Sequence, residues 1–125
     1  MASSDEKIVL IIEDDLSLAK VLQTKLVASQ YNVMTVADGE KAIELLGSVV
    51  PTVILLDIML PKKNGLEVLE WMMSQPALKD VSVVVISNLG NEKDIQSALE
   101  LGAKEYIVKA NASLAQIVDK LKAYL

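Results

Sequence analysis

Two patterns of hydrophobic and polar residues alternate along this chain. Short, continuous apolar runs are typical of strands buried on both faces, whereas apolar residues that recur every three or four positions indicate amphipathic helices. The predicted strands are Ile8–Ile12, Tyr31–Val36, Val53–Asp57, Val81–Ile86 and Glu105–Val108. Because helical segments connect these strands, the pattern predicts an α/β fold with a parallel sheet covered on both faces.

Capping residues and glycines mark the ends of the predicted helices. Asn64 is followed three positions later by Glu67, a variant of the capping box. Gly102 is expected to end the fourth helix, because glycine is favoured just after a helix. The expected helix starts, in chain order, are Asp15 or Ser17, Asp38, Asn64, Asn91, and Asn111 or Ala112. No linker interrupts the pattern, so residues 1–125 are predicted to form a single domain.

The order of the strands follows from how apolar each one is. The second and fifth strands are the least apolar and are therefore expected at the edges of the sheet. This predicts the flavodoxin-like, doubly wound order 2-1-3-4-5, with five flanking helices. The first and third strands are then neighbours. Glu13, Asp14 and Asp57, which end these two strands, are expected together at the carboxyl edge, where such sheets bind ligands.

Composition and charge exclude several kinds of chemistry. The 125 residues include no Cys and no His, which excludes disulfides, thiolate zinc sites, cysteine catalysis and phosphorylation of the chain's own histidines. A net charge of −5 without a basic run argues against direct nucleic-acid binding. No apolar run approaches the roughly 20 residues of a membrane span. Residues 1–6 are polar, are expected to be flexible and do not resemble a signal peptide, so we expect a cytoplasmic protein.

Carboxylates at the ends of two buried strands invite a chemical explanation. Glu13 and Asp14 follow the first strand, and Asp57 ends the third. An alternative for Asp57 is a structural role as the cap of a turn. Clustered carboxylates repel one another and raise each other's pKa unless a cation is present. Because the available donors are oxygens only, the predicted ion is hard: Mg²⁺, or alternatively Mn²⁺.

Two further polar groups are expected at the same edge of the sheet. Ser87 ends the fourth strand and Lys109 ends the fifth. Acids, a metal ion, a hydroxyl group and an ammonium group together are suited to phosphoryl transfer. Asp57 is the central candidate nucleophile, because an Asp carboxylate can accept phosphate as an acyl phosphate. Each feature alone is common, and the specificity lies in four strands that each end on a useful group.

These motifs resemble the response-regulator receiver domains of two-component signalling, including the chemotaxis regulators. The resemblance covers essentially the whole chain, from Lys7 to Leu125. It rests on Glu13-Asp14, on Asp57 within Leu-Leu-Asp-Ile-Met-Leu-Pro, on Gly65 within Asn-Gly-Leu-Glu-Val-Leu, on Ser87, and on Lys109 after Tyr-Ile-Val. It therefore identifies residues 1–125 as one receiver domain.

The resemblance implies a role for each candidate residue. Asp57 would be the phosphoacceptor and Lys109 the lysine that pairs with the phosphate. Ser87 would be the switch hydroxyl and Tyr106 the switch aromatic. The implied Mg²⁺ ligands are the carboxylates of Asp14 and Asp57, the main-chain carbonyl of Met59 and, through water, Glu13.

A function follows from the same resemblance. A sensor histidine kinase or a phosphotransfer protein would exchange phosphate with Asp57. Phosphorylation would shift the face formed by the fourth helix, fifth strand and fifth helix, and so control a downstream protein partner or a phosphorelay. The chain would not be an enzyme beyond its own phosphoryl transfer and dephosphorylation. Whether it is a complete single-domain regulator or part of a longer one stays open.

One departure from the family pattern supports an alternative function. Ala110 follows Lys109 where the family usually has a Pro in a cis peptide. A cis bond before a residue other than Pro costs about 2.5–4 kcal/mol. Either the pocket enforces it, or the loop is trans and Lys109 is aimed differently. The alternative is a non-phosphorylated pseudo-receiver that acts as a protein-interaction scaffold. A Mg²⁺-dependent phosphatase is disfavoured, because Ile58 and Met59 stand where such enzymes need a further acid.

Overall fold

The structure is a computed structural model that describes residues 7–88 and 90–125. The flexible N-terminus predicted for residues 1–6 lies outside the described residues. The strands are β1 (Ile8–Ile12), β2 (Asn32–Val36), β3 (Val53–Asp57), β4 (Ser82–Ser87) and β5 (Glu105–Val108). The helices are α1 (Leu16–Ala28), α2 (Gly39–Leu46), α3 (Gly65–Met73), α4 (Glu92–Glu100) and α5 (Leu114–Lys122).

The strands form one parallel sheet in the order β2-β1-β3-β4-β5, which confirms the predicted fold. β1 and β3 are neighbours, and Ile12 pairs with Leu56 in their register. The edge strand β2 has no fully buried residue, whereas all five residues of β3 are buried. The apolar content of these strands therefore correctly predicted which of them lies at an edge of the sheet and which lies in the centre.

The core consists of two apolar layers, one on each face of the sheet. Successive residues of a strand point to opposite faces, so a central strand must be apolar at every position. In β1, Leu10 and Ile12 pack into the layer under α2 and α3, whereas Val9 and Ile11 pack into the layer under α1 and α5. Close packing of the two layers fixes the position of the strands, and therefore also the position of the main chain from which the polar groups at the carboxyl edge extend.

Side-chain caps start the helices close to the predicted positions, with one exception. Asp15 caps α1, and Asn64 forms the full capping box with Glu67 at the start of α3. The prediction that the last helix starts at Asn111 or Ala112 was wrong. A short 3₁₀ turn occupies Lys109–Asn111, and α5 begins at Leu114. The reason is a second capping box, in which Ser113 and Gln116 exchange main-chain and side-chain hydrogen bonds.

Candidate functional site

The turn after β1 separates two neighbouring acids. Glu13 is 1 % exposed, whereas Asp14 lies on the surface. The main-chain N–H of Glu13 donates to the carbonyl of Val36 at the end of β2 (3.0 Å). The main-chain N–H of Asp15 donates to Oε2 of Glu13 (3.0 Å). These bonds fold the Glu13 carboxylate inward, over the carboxyl edge of the sheet.

Asp57 is the last residue of β3, and only 3 % of the residue is exposed. The main-chain N–H of Met59 donates to Oδ1 of Asp57 (3.0 Å). The loop then folds back, because the N–H of Gly65 donates to the carbonyl of Ile58 (2.7 Å). Met59 is therefore held beside the Asp57 carboxylate, and 57 % of the Met59 residue is exposed.

Lys109 bridges the two buried acids. Its Nζ lies 2.8 Å from Oε1 of Glu13 and 3.0 Å from Oδ2 of Asp57. No peptide bond in residues 7–88 or 90–125 is cis, so the bond before Ala110 is trans. Of the two alternatives for this loop, the trans form is therefore the one present, and its 3₁₀ turn at Lys109–Asn111 leaves the ammonium within reach of both carboxylates.

The acids and the lysine change each other's pKa. Burial raises the pKa of Glu13 to about 7, although Lys109 and the Asp15 N–H lower it and Asp57 adds to the rise. Burial also lowers the pKa of Lys109, but hydrogen bonds and charge attraction from Glu13 and Asp57 outweigh this and leave it raised. The lysine is therefore charged at neutral pH, while Glu13 changes its protonation state close to neutral pH.

The acid cluster fits a hard divalent cation. Carboxylate oxygens of Glu13, Asp14 and Asp57 all lie within 4.8 Å of one another. Oε1 of Glu13 is buried and contacts Lys109 as an ion pair. Among the buried side-chain nitrogen and oxygen atoms of the described residues, it alone lacks a hydrogen bond of good geometry. Oxygen donors with a deficit of positive charge suit Mg²⁺ or Mn²⁺. The residues present thus fit the ion that the sequence predicts.

Ser87 and Tyr106 lie together on the other side of Asp57. Ser87 ends β4 and is completely buried, and Tyr106 is half-buried in the middle of β5. The two side chains are hydrogen-bonded to each other. Burial raises the pKa of the Tyr106 hydroxyl, and this bond partly offsets the rise. The Tyr106 hydroxyl therefore contacts the buried end of β4.

The structure brings the predicted groups that end or follow strands to one edge of the sheet, as the topology requires, namely Glu13, Asp14, Asp57, Met59, Ser87 and Lys109. Tyr106 lies within β5, before that edge, and reaches it through its hydrogen bond to Ser87. Sequence reasoning missed the groups that orient the acids, namely the N–H of Asp15, the N–H of Met59 and the carbonyl of Val36. These are main-chain groups, which every residue possesses, so no side-chain pattern could have found them.

The family comparison agrees with this architecture. The sequence-family model for the response regulator receiver domain matches residues 9–122. The chain therefore belongs to the response regulator receiver domain family of two-component signalling. No helix in the part of the chain that the structure describes is long and apolar enough to cross a membrane.

Several curated proteins and solved structures are similar to the chain. A probable transcriptional regulator, ycf27 of Guillardia theta, is 40% identical over 81% of this chain and 39% of its own length. The alkaline phosphatase synthesis transcriptional regulatory protein PhoP of Bacillus subtilis is 35% identical over 95% of this chain and 48% of its own. The chain thus spans less than half the length of these relatives.

Two solved response regulators match almost the whole chain. The Mn²⁺-bound form of Rcp1 has a TM-score of 0.83 and 31% identity, with 94% of this chain and 93% of that chain covered. The phosphorylated cyanobacterial phytochrome response regulator RcpA has a TM-score of 0.80 and 35% identity, with 94% and 90% covered.

Proposed function

We propose that this chain is a phosphoacceptor receiver domain whose phosphorylation on Asp57 requires Mg²⁺. The observation that carries the proposal is the position of the Asp57 carboxylate. It lies at a strand end, 3.0 Å from the Lys109 ammonium and within 4.8 Å of carboxylate oxygens of Glu13 and Asp14. The similarity to a phosphorylated regulator and to a Mn²⁺-bound one supports both parts of the proposal.

The acid cluster would hold the ion. Asp14, Asp57 and the main-chain carbonyl of Met59 would be direct ligands, and Glu13 would act through water. When bound, Mg²⁺ would offset the negative charge of a phosphoryl group and of the acids around it. Lys109 supplies the second positive charge, which its ion pairs already fix at the mouth of the site.

The chemical step is a transfer to the Asp57 carboxylate. A carboxylate oxygen of Asp57 attacks the phosphorus of a donor, the bond from phosphorus to the donor breaks, and an acyl phosphate forms. The bonding electrons leave with the donor group. Lys109 is placed to pair with the transferred phosphoryl oxygens, because it already contacts Oδ2 of Asp57. Beyond this transfer and its hydrolysis, the proposal assigns the chain no enzymatic activity.

Phosphorylation would act on α4, β5 and α5 through Ser87. A phosphoryl group adds negative charge and three strong acceptor oxygens beside the buried Ser87 hydroxyl. That hydroxyl is bonded to Tyr106 in this structure, so phosphate and tyrosine compete for it. A change in this bond would move the residues between β4 and α4 and alter the surface offered to a partner.

The proposed partners follow from the family. A sensor histidine kinase or a phosphotransfer protein would donate the phosphoryl group, and a downstream protein would bind the α4–β5–α5 face or accept phosphate in a relay. The relatives include transcriptional regulatory proteins such as PhoP and CpxR. The net charge of −5 favours a protein partner over direct contact with nucleic acid.

Intact mass spectrometry tests the proposal. The protein is incubated with acetyl phosphate, with and without Mg²⁺, and quenched quickly. We expect one added phosphoryl group that depends on Mg²⁺ and is lost in Asp57→Asn. Asp80→Asn, which changes an exposed Asp between α3 and β4, is the matched control and should retain the adduct.

Failure to form an adduct would reject the phosphoacceptor proposal. Quick quenching and a beryllofluoride phosphate mimic separate a short-lived adduct from none at all. If the mimic also left the amide spectrum unchanged, the non-phosphorylated scaffold would be the better description of the chain.

A further inference from the structure

Gly39 lies where the first turn of α2 meets the loop formed by residues 58–64. It is buried, and its N–H donates to the carbonyl of Pro61 (3.3 Å). A Cβ built on Gly39 would lie 2.0 Å from the carbonyl oxygen of Lys63 and 2.7 Å from its carbonyl carbon. Of the described glycines, Gly102 alone has a left-handed backbone. At Gly39 it is therefore the lack of space that excludes a side chain.

A second glycine holds the other end of the same loop. The N–H of Gly65 donates to the carbonyl of Ile58 (2.7 Å), and a Cβ on Gly65 would lie 2.2 Å from the carbonyl oxygen of Asp57. Between them, Lys62 adopts a left-handed conformation with φ 71°. The loop is thus a tight turn, fixed at its base by Gly65 and at its tip by Gly39.

This loop carries Met59, whose carbonyl is the proposed main-chain ligand. The N–H of Met59 contacts Oδ1 of Asp57, and the N–H of Leu60 donates to the carbonyl of Ile58 (3.0 Å). These hydrogen bonds restrict how far the residues of the loop can move independently. If the tip of the loop, opposite Gly39, is displaced, we therefore expect Met59 to be displaced as well.

The α2 side of the contact is also fixed. Asp38 is buried and caps α2 by accepting from the N–H of Lys41 (2.8 Å). At the end of β2, the carbonyl of Val36 accepts from the N–H of Glu13 (3.0 Å). The turn that presents Gly39 is thus tied to the acid cluster, so it is the loop that must yield to a larger residue.

We propose that Gly39 is a positioning residue for the metal site. Its missing side chain lets the first turn of α2 close on the loop of residues 58–64 and so sets the position of the Met59 carbonyl. The inference rests on the proposed function, because it assumes that this carbonyl binds Mg²⁺. Gly39 itself touches neither the ion nor the acids.

The test compares Gly39→Ala with Gly47→Ala, at the two ends of the same helix. A Cβ on Gly47 would lie 3.3 Å from the carbonyl oxygen of Glu44, and the backbone of Gly47 is already helical, so alanine requires a shift of only a few tenths of an ångström there. Mg²⁺ affinity is obtained from the rise in unfolding free energy with Mg²⁺ concentration, which remains measurable for a destabilised variant. We expect Gly39→Ala to weaken Mg²⁺ binding about tenfold or more, and Gly47→Ala to leave it unchanged.

A second variant separates positioning from stability. Adding Lys62→Gly to Gly39→Ala relaxes the left-handed turn, so we expect it to restore folding while Mg²⁺ binding stays weak. The inference would be overturned if the double variant recovered both its folding and its Mg²⁺ binding. It would also be overturned if Gly39→Ala and Gly47→Ala bound Mg²⁺ with equal affinity. If Mg²⁺ fails to stabilise even the unchanged protein, the proposed metal role is wrong, and this inference falls with it.

Discussion

Glu13 is a carboxylate in an environment that disfavours its charge. Its side chain is completely shielded from solvent, and Asp57 adds a second negative charge nearby. Lys109 and one main-chain N–H compensate only in part, so the pKa of Glu13 rises to about 7. A divalent ion would supply the missing positive charge and favour the ionised form.

The raised pKa of Glu13 predicts an unusual dependence of stability on pH in protein without metal. Between its usual pKa of 4.5 and about 7, the folded state holds a proton on Glu13 that the unfolded chain has released. The contribution of Glu13 is therefore full below pH 4.5 and is lost as the pH rises through about 7. We expect the stability of the wild type relative to Glu13→Gln to fall by roughly 2–3 kcal/mol over this range.

Urea unfolding in chelator at about pH 4.5, 6 and 7.5 measures this effect. Glu44→Gln, which replaces an exposed acid on α2, serves as the control and should track the wild type. A difference between the wild type and Glu13→Gln that is flat or rises with pH would contradict the raised pKa.

At the scale of elements, the central strands could be predicted almost to the residue. Ile8–Ile12 and Val53–Asp57 have the predicted bounds, because a strand covered on both faces must be apolar throughout. The edge strand Glu105–Val108 also has its predicted bounds, although it is less apolar. The α3 start was equally clear, since Asn64 and Glu67 satisfy each other's main-chain groups within four residues. Both signals are local and depend on side-chain type.

Elements shaped by weaker or competing local signals were harder to predict. Pro76–Leu78 and Lys109–Asn111 form 3₁₀ turns of three residues each, which are too short to show a hydrophobic period. Before α5, Asn111 and Ser113 are both suitable caps, and only Ser113 has a Gln three positions later. The reciprocal bonds with Gln116 decide where the helix begins.

The start of α5 can be tested at Ser113. Its hydroxyl accepts from the N–H of Gln116 (3.1 Å), and Ser113→Ala removes this acceptor. We expect a loss of about 1 kcal/mol in unfolding free energy. Ser48→Ala, an exposed serine after α2, is the control and should change stability by less than about 0.5 kcal/mol. Equal effects in chemical unfolding would show that the cap does not stabilise α5.

At the scale of the whole molecule, the topology explains why the site could be predicted from sequence. In the order β2-β1-β3-β4-β5, the ends of β1, β3, β4 and β5 share one edge, so Glu13, Asp57, Ser87 and Lys109 must converge. The direction of each side chain could not be predicted, because it depends on main-chain hydrogen bonds and on the turn after Lys109. The topology thus brings the four residues together, and the loops determine the direction of each side chain.

Ser87 is the point where the site meets the surface that the proposed function requires to change. It ends β4 beside Asp57, bonds to Tyr106 on β5, and precedes the segment that leads into α4. Loss of the Ser87 hydroxyl should therefore leave phosphorylation of Asp57 possible but weaken the resulting change in α4 and β5.

Ser87→Ala should accept phosphate yet transmit little of the change. We expect the Mg²⁺-dependent adduct by mass, but a shift of α4 and β5 reduced roughly fivefold or more, which corresponds to a coupling of about 1 kcal/mol. Amide spectra with and without beryllofluoride measure the shift. Ser82→Ala, at the other end of β4, is the matched control and should respond like the wild type. An undiminished shift in Ser87→Ala would place the coupling elsewhere, because the hydroxyl would then be a buried partner of Tyr106 and nothing more.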